Sequence, residues 1–144
     1  MPDTRARTDL YLLTQQFYAR QMQALDGGRF EEYAATFTED GLFQHLSTVE
    51  PCRGRAAILE MLHEFQRTRF GDDPVQRRHW FSQIVLDPQD DGSWRSTAYG
   101  LVVTARPGVR QPEIAPSCVV HDVLEVDGDD VLVRSRVITY DHES

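Results

Sequence analysis

A change of hydrophobic period near residue 70 constrains the fold of this chain more than any other feature. Before it, apolar residues recur every three or four positions; after it, they alternate with polar residues in four long segments. Because 144 residues suit a single domain, both halves must share one core. Helices followed by strands indicate an α+β domain in which the helices pack on one face of a sheet. We expect residues 1–144 to form that single domain.

Three helices are predicted in the first half. They cover residues 8–26, 29–37 and 54–68. The first two form a helical hairpin, because the glycines of "DGG" at 26–28 end the first helix. The apolar face predicted for the first helix consists of Leu10, Leu13, Phe17 and Ala24. The buried stripe predicted for the third consists of Ile58, Met61, Leu62 and Phe65.

The predicted strands cover residues 41–47, 78–87, 94–106, 117–126 and 131–140. Turns rich in Gly, Pro and Asp separate the last four, including "PGVRQPEIAP" at 107–116, and these turns indicate antiparallel neighbours. The sheet should therefore be mainly antiparallel. If it is strongly curved, three helices can fill its concave face only in part, and a pocket remains.

Composition excludes several classes of function. A net charge of −8 argues against binding to a nucleic-acid backbone, which requires clustered positive charge. No apolar run approaches the roughly 18 to 20 residues of a membrane span, and "MPDTRARTDLY" lacks the apolar segment of a secretory signal. We therefore expect a soluble, cytoplasmic protein with no membrane partner.

The sequence also lacks the usual signatures of a bound cofactor. Cys52 and Cys118 stand apart from each other and from other ligands at zinc spacing, so free thiols are expected. Neither a three-ligand zinc set nor a glycine-rich phosphate loop occurs. Any catalysis should therefore be independent of metals and cofactors. All 15 basic residues are Arg, which is typical of a G+C-rich genome and gives individual arginines little weight.

The order of motifs resembles a known superfamily. "ALDGGRFEEYAATFTED", a strand and then "CRGRAAILEML" resemble the NTF2-like superfamily, with its "F-x-x-D" end to the second helix. "RRHWFSQIVLD" and "VVHDVLEVDGDDVLVRSRVIT" are further similar to its SnoaL-like branch. The resemblance implies a cone of three N-terminal helices packed on a strongly curved, mainly antiparallel sheet. The superfamily includes ketosteroid isomerases, scytalone-type dehydratases, epoxide hydrolases, polyketide cyclases and dioxygenase β subunits, so the fold alone determines no reaction.

The resemblance makes His45 a candidate catalytic residue. "FTEDGLFQHLSTVEPCRGRAAI" aligns without a gap to the ketosteroid isomerase pattern, and His45 falls where that family has its proton-shuttling carboxylate. Alternation puts Phe43 and His45 on one face of the strand. Histidine can transfer protons near neutral pH. The alternative is a histidine at the edge of the core that is hydrogen-bonded to backbone.

A second candidate, His79, opens the first long strand and shares a predicted face with Phe81 and Gln83. The scytalone-dehydratase-like and SnoaL-like patterns imply that this histidine faces the pocket, as an acid, a base or a hydrogen-bonding group. Trp80, on the opposite face, is then a packing or dimer residue.

His121 and Asp122 are neighbours in a strand, so only one of them can face inward. Asp122 would share its face with Val120, Leu124 and Val126, where a carboxylate is costly unless it is partnered. An acid–base site tolerates that cost and an ordinary core does not, which makes Asp122 the third catalytic candidate and His121 a substrate-binding one. A solvent-facing pair is the alternative.

The remaining predicted substrate-binding residues are Tyr18, Gln21, Tyr99 and Arg136. Isomerase-like members carry an oxyanion-stabilising tyrosine about one turn after Tyr18, where alignment puts Gln21, so either residue can substitute. Tyr99 and Arg136 are candidates for the pocket lining, with packing or surface positions as the alternative.

Two functions follow from these observations. The first is a cofactor-independent acid–base enzyme that cyclises, dehydrates or isomerises a hydrophobic small molecule in polyketide-type biosynthesis. The second is a non-catalytic binding or structural subunit of the dioxygenase β type. In either case the outer sheet face, with Trp80 and Trp94, should form a homodimer.

Overall fold

The computed structural model describes residues 4–45 and 50–143. Within these residues it has three α-helices: α1 (Thr4–Asp26), α2 (Phe30–Ala34) and α3 (Arg55–Arg69). The strands are β1 (Phe37–His45), β2 (Cys52–Arg53), β3 (Gln76–Pro88), β4 (Trp94–Arg106), β5 (Val109–Ile114), β6 (Cys118–Asp127) and β7 (Asp130–Tyr140). They form one curved sheet in the order β2-β1-β7-β6-β4-β3, with β5 beside β4. β1 and β7 are parallel and the other described pairs are antiparallel, which confirms the predicted α+β class.

A β-bulge in β3 bends the strand that carries His79. The pairing of β3 with β4 shifts between Ser82 and Val85, and Gln83 has a φ of 56°, a value uncommon for a residue other than glycine. Past the bulge, Ile84 is buried and Gln83 is exposed. The prediction that Gln83 shares the face of His79 was therefore wrong, because the extra residue reverses the alternation.

The buried face of α1 is polar at its centre. Thr14, Tyr18 and Gln21 are at most 2% exposed. Of the four residues predicted for this face, Ala24 is buried, whereas Leu10, Leu13 and Phe17 are half-buried. The buried face of α1 is therefore rotated about the helix axis relative to the predicted apolar face. Hydropathy alone cannot predict this, because it assigns polar side chains to the surface even when they form hydrogen bonds in the interior.

The helix ends in a Schellman arrangement. The Arg29 N–H donates to the Ala24 carbonyl at 2.9 Å, and Gly28 has a φ of 75°. This termination leaves Asp26 in the last turn of α1, beside β3.

The structure differs from the sequence prediction at the end of α2 and in the segment 107–116, among other boundaries. α2 stops at Ala34 because Phe37, expected to end the helix, is the first residue of β1, so the "F-x-x-D" motif lies in a strand. The predicted turn at 107–116 contains β5, in which Pro112 is tolerated because β5 lies off the main path of the sheet. Residues 46 and 47 of the predicted first strand lie outside the described residues.

The core lies between the inner sheet face and the helices. Phe37, Ile58, Leu124 and Val133 have no exposed surface, and the predicted stripe of α3 is confirmed at Ile58 and Leu62. Trp94 packs against this core, so its predicted position on the outer face was wrong. The other face of the sheet exposes large side chains: Trp80, Val85, Tyr99 and Ile114. No helix in the described part of the chain is long and apolar enough to cross a membrane.

Candidate active site

An ion pair lies at the centre of the sheet's inner face. Asp122 on β6 is directly opposite Arg136 on β7, and the two residues are 1% and 0% exposed. Arg136 Nε donates to Asp122 Oδ1 at 2.9 Å and Nη2 donates to Oδ2 at 2.8 Å. This bidentate geometry is the strongest form of an arginine–carboxylate bond and compensates part of the cost of burying both charges. Because Asp122 faces inward, His121 faces outward.

The pair is connected to both helices of the hairpin. The Tyr18 hydroxyl donates to Asp122 Oδ2 at 2.6 Å and is 2.8 Å from Ser96 Oγ, which serves as its donor. Arg136 also donates to the Tyr33 hydroxyl at 3.0 Å and to Gln21 Oε1 at 2.8 Å. Four predicted site residues, distant in sequence, therefore form one buried network: Tyr18, Gln21, Asp122 and Arg136.

Electrostatics holds this network in one protonation state. Burial raises the pKa of Tyr18 well above its ordinary value, and the neighbouring Asp122 charge raises it further. Burial works against the charged form of Arg136, but the Asp122 carboxylate together with Tyr33 and Tyr18 outweighs it, and the pKa of Arg136 rises. The network therefore keeps a neutral phenol beside a charged guanidinium. Because the phenol proton is donated to Asp122, Tyr18 as it stands offers its ring, rather than a free O–H, to a ligand.

A second polar pair joins α1 to β3. His79 Nδ1 is 2.6 Å from Asp26 Oδ1, and the His79 backbone N–H donates to Asp26 Oδ2 at 3.1 Å. Their side chains are 14% and 6% exposed. Since a carboxylate accepts, Nδ1 carries a proton, and in the neutral imidazole Nε2 is then the nitrogen with the free lone pair. We call these two residues the His79–Asp26 dyad.

Asp26 is the site residue that sequence reasoning missed. Its position in "DGG" is that of an ordinary turn residue. One signal was available: Asp26 lies in the last turn of α1, where the helix dipole disfavours a negative charge. A residue that breaks a local rule in this way is often held by a functional contact.

The dyad borders two cavities. A cleft of about 760 Å³ between α1 and β3 is lined by Tyr18, Met22 and Phe81 together with the dyad. A cavity of about 390 Å³ between the helices and β3, which we call the inner cavity, is lined by the dyad, Arg77 and apolar side chains. Both volumes suit a small organic molecule. The centre of the concave face, where we expected open space, is occupied by the Arg136 network.

The other predicted site residues lie elsewhere. The His45 ring contacts the rings of Phe43 and Tyr140, with centroids 5.6 and 6.2 Å apart, and the structure records no hydrogen bond between His45 and the dyad within the described residues. Tyr99 is 59% exposed on the outer sheet face. His121 is on that face too, where its Nε2 is 3.2 Å from Thr139 Oγ1. Neither Tyr99 nor His121 lines the cleft or the inner cavity.

Among residues 4–45 and 50–143, no three His, Cys, Asp or Glu side chains are grouped so that they could hold a metal ion. Cys52 and Cys118 are free thiols, and burial raises the pKa of each.

Comparison with known proteins places this site in a family. Comparison with curated protein sequences gives no match. Among solved structures, ActVI-ORFA from Streptomyces coelicolor is 46% identical, with a TM-score of 0.86 over 93% of this chain and 98% of that one. A Catenulispora acidiphila protein in complex with S-DNPA is 44% identical, with a TM-score of 0.83 over 94% and 96%. Aln2 from a Streptomyces species is 31% identical, with a TM-score of 0.84 over 99% and 96%.

A family model described as a SnoaL-like domain matches residues 7–137, which include all members of the buried network and both members of the dyad. The match confirms the NTF2-like resemblance seen in the sequence motifs. The chain belongs to the SnoaL-like domain family.

Proposed function

We propose that this protein is a cofactor-independent acid–base enzyme that cyclises, dehydrates or isomerises a hydrophobic, carbonyl-bearing small molecule in polyketide-type biosynthesis. One observation carries the proposal: a histidine oriented by a buried carboxylate, Nδ1 to Oδ1 2.6 Å, borders two cavities of small-molecule size. Such a pair is the usual arrangement of a general base.

The His79–Asp26 dyad supplies the proton transfer. With Nδ1–H held by Asp26, Nε2 takes a proton from the carbon next to a substrate carbonyl. Asp26 stabilises the imidazolium that forms. In an isomerisation the proton returns to another carbon, and in a cyclisation it goes to the alkoxide produced by carbon–carbon bond formation. In a dehydration it leaves with the departing hydroxyl as water, so none of the three reactions needs an external co-reactant.

The Arg136 network has a supporting role in this proposal. It holds Tyr18 in place through two hydrogen bonds, and the Tyr18 ring, with Met22 and Phe81, forms the apolar wall of the cleft. A fixed wall orients a flat substrate against His79 and excludes water from the reacting carbon. We therefore give Asp122 a positioning part and assign it no proton transfer.

One relative and the family resemblance support the chemical class of the ligand. The Catenulispora acidiphila relative binds S-DNPA, and the SnoaL-like resemblance extends to polyketide cyclases. S-DNPA is therefore a suitable first probe for this protein. Calorimetry should detect binding of S-DNPA to the wild type, and Phe81→Ala, which removes part of the apolar wall of the cleft, should weaken it.

The catalytic test uses variants of the dyad. With a polyketide-type β-carbonyl substrate, followed by chromatography and mass spectrometry, His79→Ala should lower kcat on the order of a hundredfold or more. Asp26→Asn keeps the shape but removes the negative charge and one of the two acceptor oxygens that hold His79, and should lower kcat roughly tenfold or more. His121→Ala is the matched control, because it removes a histidine from the opposite sheet face. The proposal fails if His79→Ala, folded and binding S-DNPA, turns substrate over like the wild type.

His45 is tested in the same assay. Its alignment predicts proton transfer, whereas the structure places its imidazole against the rings of Phe43 and Tyr140. We expect His45→Ala to cost much less than His79→Ala. The reverse order would return the catalytic part to His45.

We also propose that the protein forms a homodimer through its outer sheet face. Trp80, Tyr99 and Val85 are 61%, 59% and 56% exposed there, an unusual concentration of large apolar side chains on a sheet without a covering layer. Light scattering at micromolar concentration should give a dimer, and Trp80→Glu with Tyr99→Glu should give a monomer. A monomeric wild type would remove this part of the proposal.

A further inference from the structure

Arg77 is a positive charge beside a pair of aromatic rings, Phe65 and Phe70, whose centroids are 5.9 Å apart. Its guanidinium carbon lies 5.1 Å from the centroid of Phe65 and 5.5 Å from that of Phe70. Both rings come from the end of α3, and Arg77 comes from β3. Cation–π attraction to these rings compensates part of the cost of removing the guanidinium from water.

This guanidinium has no anionic partner. Within the described residues it makes no ion pair and no side-chain hydrogen bond, and its Nε is buried without an acceptor. Burial lowers the pKa of Arg77, and the negative charge of Asp26 offsets this only in part. A guanidinium remains charged in proteins, so an unpaired, half-buried one is costly. The buried guanidinium of Arg136, by comparison, donates four hydrogen bonds with donor–acceptor distances of 2.8–3.0 Å.

Arg77 lies in the same cavity as the dyad. The inner cavity of about 390 Å³ is lined by both Arg77 and His79, while Leu62, Phe65 and Val75 make its walls apolar. The two polar residues are separated by one position on the inner side of β3, which puts their Cα atoms roughly 7 Å apart. An unpaired cation thus lies close to the proposed base, in a cavity whose other polar side chains are those of Asp26 and Gln66.

We propose that Arg77 binds a carboxylate of the substrate, and hence that this protein acts on a hydrophobic small molecule that carries a free carboxylic acid. The inference rests on the proposed function and names the substrate class of the same site. The planar fork of donors matches a carboxylate in two parallel hydrogen bonds. With the carboxylate bound to Arg77, the rest of the substrate extends past His79. The position of the carboxylate then determines which substrate carbon lies next to Nε2.

The test compares a charged probe with its neutral isostere. We would titrate naphthalene-2-acetate and naphthalene-2-acetamide into the protein by calorimetry or ligand-observed NMR. The wild type should bind the acid between roughly tenfold and a hundredfold more tightly than the amide. Arg77→Gln should lose this preference while its affinity for the amide stays the same. Arg77→Lys, which keeps the charge but not the fork, should retain only part of it.

Two matched variants separate this proposal from its rivals. Arg69→Gln removes a charge that acts on Arg77 from the surface of α3 without lining the inner cavity, and it should keep the preference. His79→Ala should also keep it while losing turnover, so failure of the catalytic proposal and failure of this one remain distinguishable. No acid preference in the wild type, or an undiminished preference in Arg77→Gln, would overturn the carboxylate site. Tighter binding of 2-naphthyl phosphate than of the acid would overturn the choice of carboxylate.

Discussion

Removing the Asp122 carboxylate should destabilise the protein severely. Asp122→Ala leaves Arg136, which is 0% exposed, as a buried charge without a counter-ion and takes the acceptor away from the Tyr18 hydroxyl. Breaking a buried ion pair by deleting one partner costs about 3–5 kcal/mol. At about 2–4 °C per kcal/mol for a chain of this size, Tm should fall by roughly 6–20 °C.

The assay is thermal unfolding followed by circular dichroism, together with urea titration. The surface pair of Arg134 and Asp91 provides the control, since its nitrogen–oxygen distance of 2.8 Å equals the shorter one between Arg136 and Asp122. Arg134→Met should shift Tm several-fold less, because an exposed pair contributes little. Equal shifts in the two experiments would show that burial is not the cause.

A double variant tests the same reasoning from the other side. Asp122→Leu combined with Arg136→Met removes both charges, so no unpaired charge remains in the interior. It should be more stable than Asp122→Ala alone, because the penalty comes mainly from the orphaned partner. If the double variant is as unstable as the sum of the single ones, the account of the ion pair is wrong.

Three further predictions concern other parts of the fold. Burial raises the pKa of Tyr18 and Tyr33 above 10, so their contribution to stability is complete below pH 10 and is lost above it, by about 1.4 kcal/mol per pH unit for each tyrosine. Urea titrations above pH 10 should show a loss of stability to which no lysine contributes, because the chain has none, and Tyr33→Phe should reduce its slope. A Cβ on Gly100 would lie 2.7 Å from Cys118 Sγ, so Gly100→Ala should cost about 1–3 kcal/mol in urea, and Cys118→Ala should restore part of it. At the bulge, Gln83→Gly should unfold at no lower a temperature than the wild type. Gln83→Val should lower the free energy of unfolding by about 1–2 kcal/mol, because a branched side chain opposes a positive φ. A valine variant as stable as the wild type would contradict the positive φ assigned to this residue.

Most elements of the fold could be predicted from the sequence, because their signals are local. The predicted bounds of β4 match the structure, and those of β7 differ by one residue. Errors arose where a long-range contact outweighs a local preference. Phe37 has helical spacing, yet it pairs with Val133 across the sheet. β5 is hidden by Pro112 and the flanking prolines, and it forms because an adjacent strand, β4, offers hydrogen-bond partners.

The sequence by itself determined which residue types were available for a site and on which strand face some of them lie. Alternation put His79 and Phe81 on one face, and the cost of an unpaired buried acid singled out Asp122. The sequence could not show that Asp122 forms an ion pair with Arg136, and in the sequence Asp26 has the position of an ordinary turn residue.

Only the tertiary structure decided the partners. Tyr18 reaches Asp122 across 104 positions, and Asp26 reaches His79 across 53. The physical reason is that a hydrogen bond or an ion pair depends on distances of about 3 Å between atoms. Such distances are set by how helices dock on a bent sheet, whereas hydrophobic period reports only which side of each element is buried.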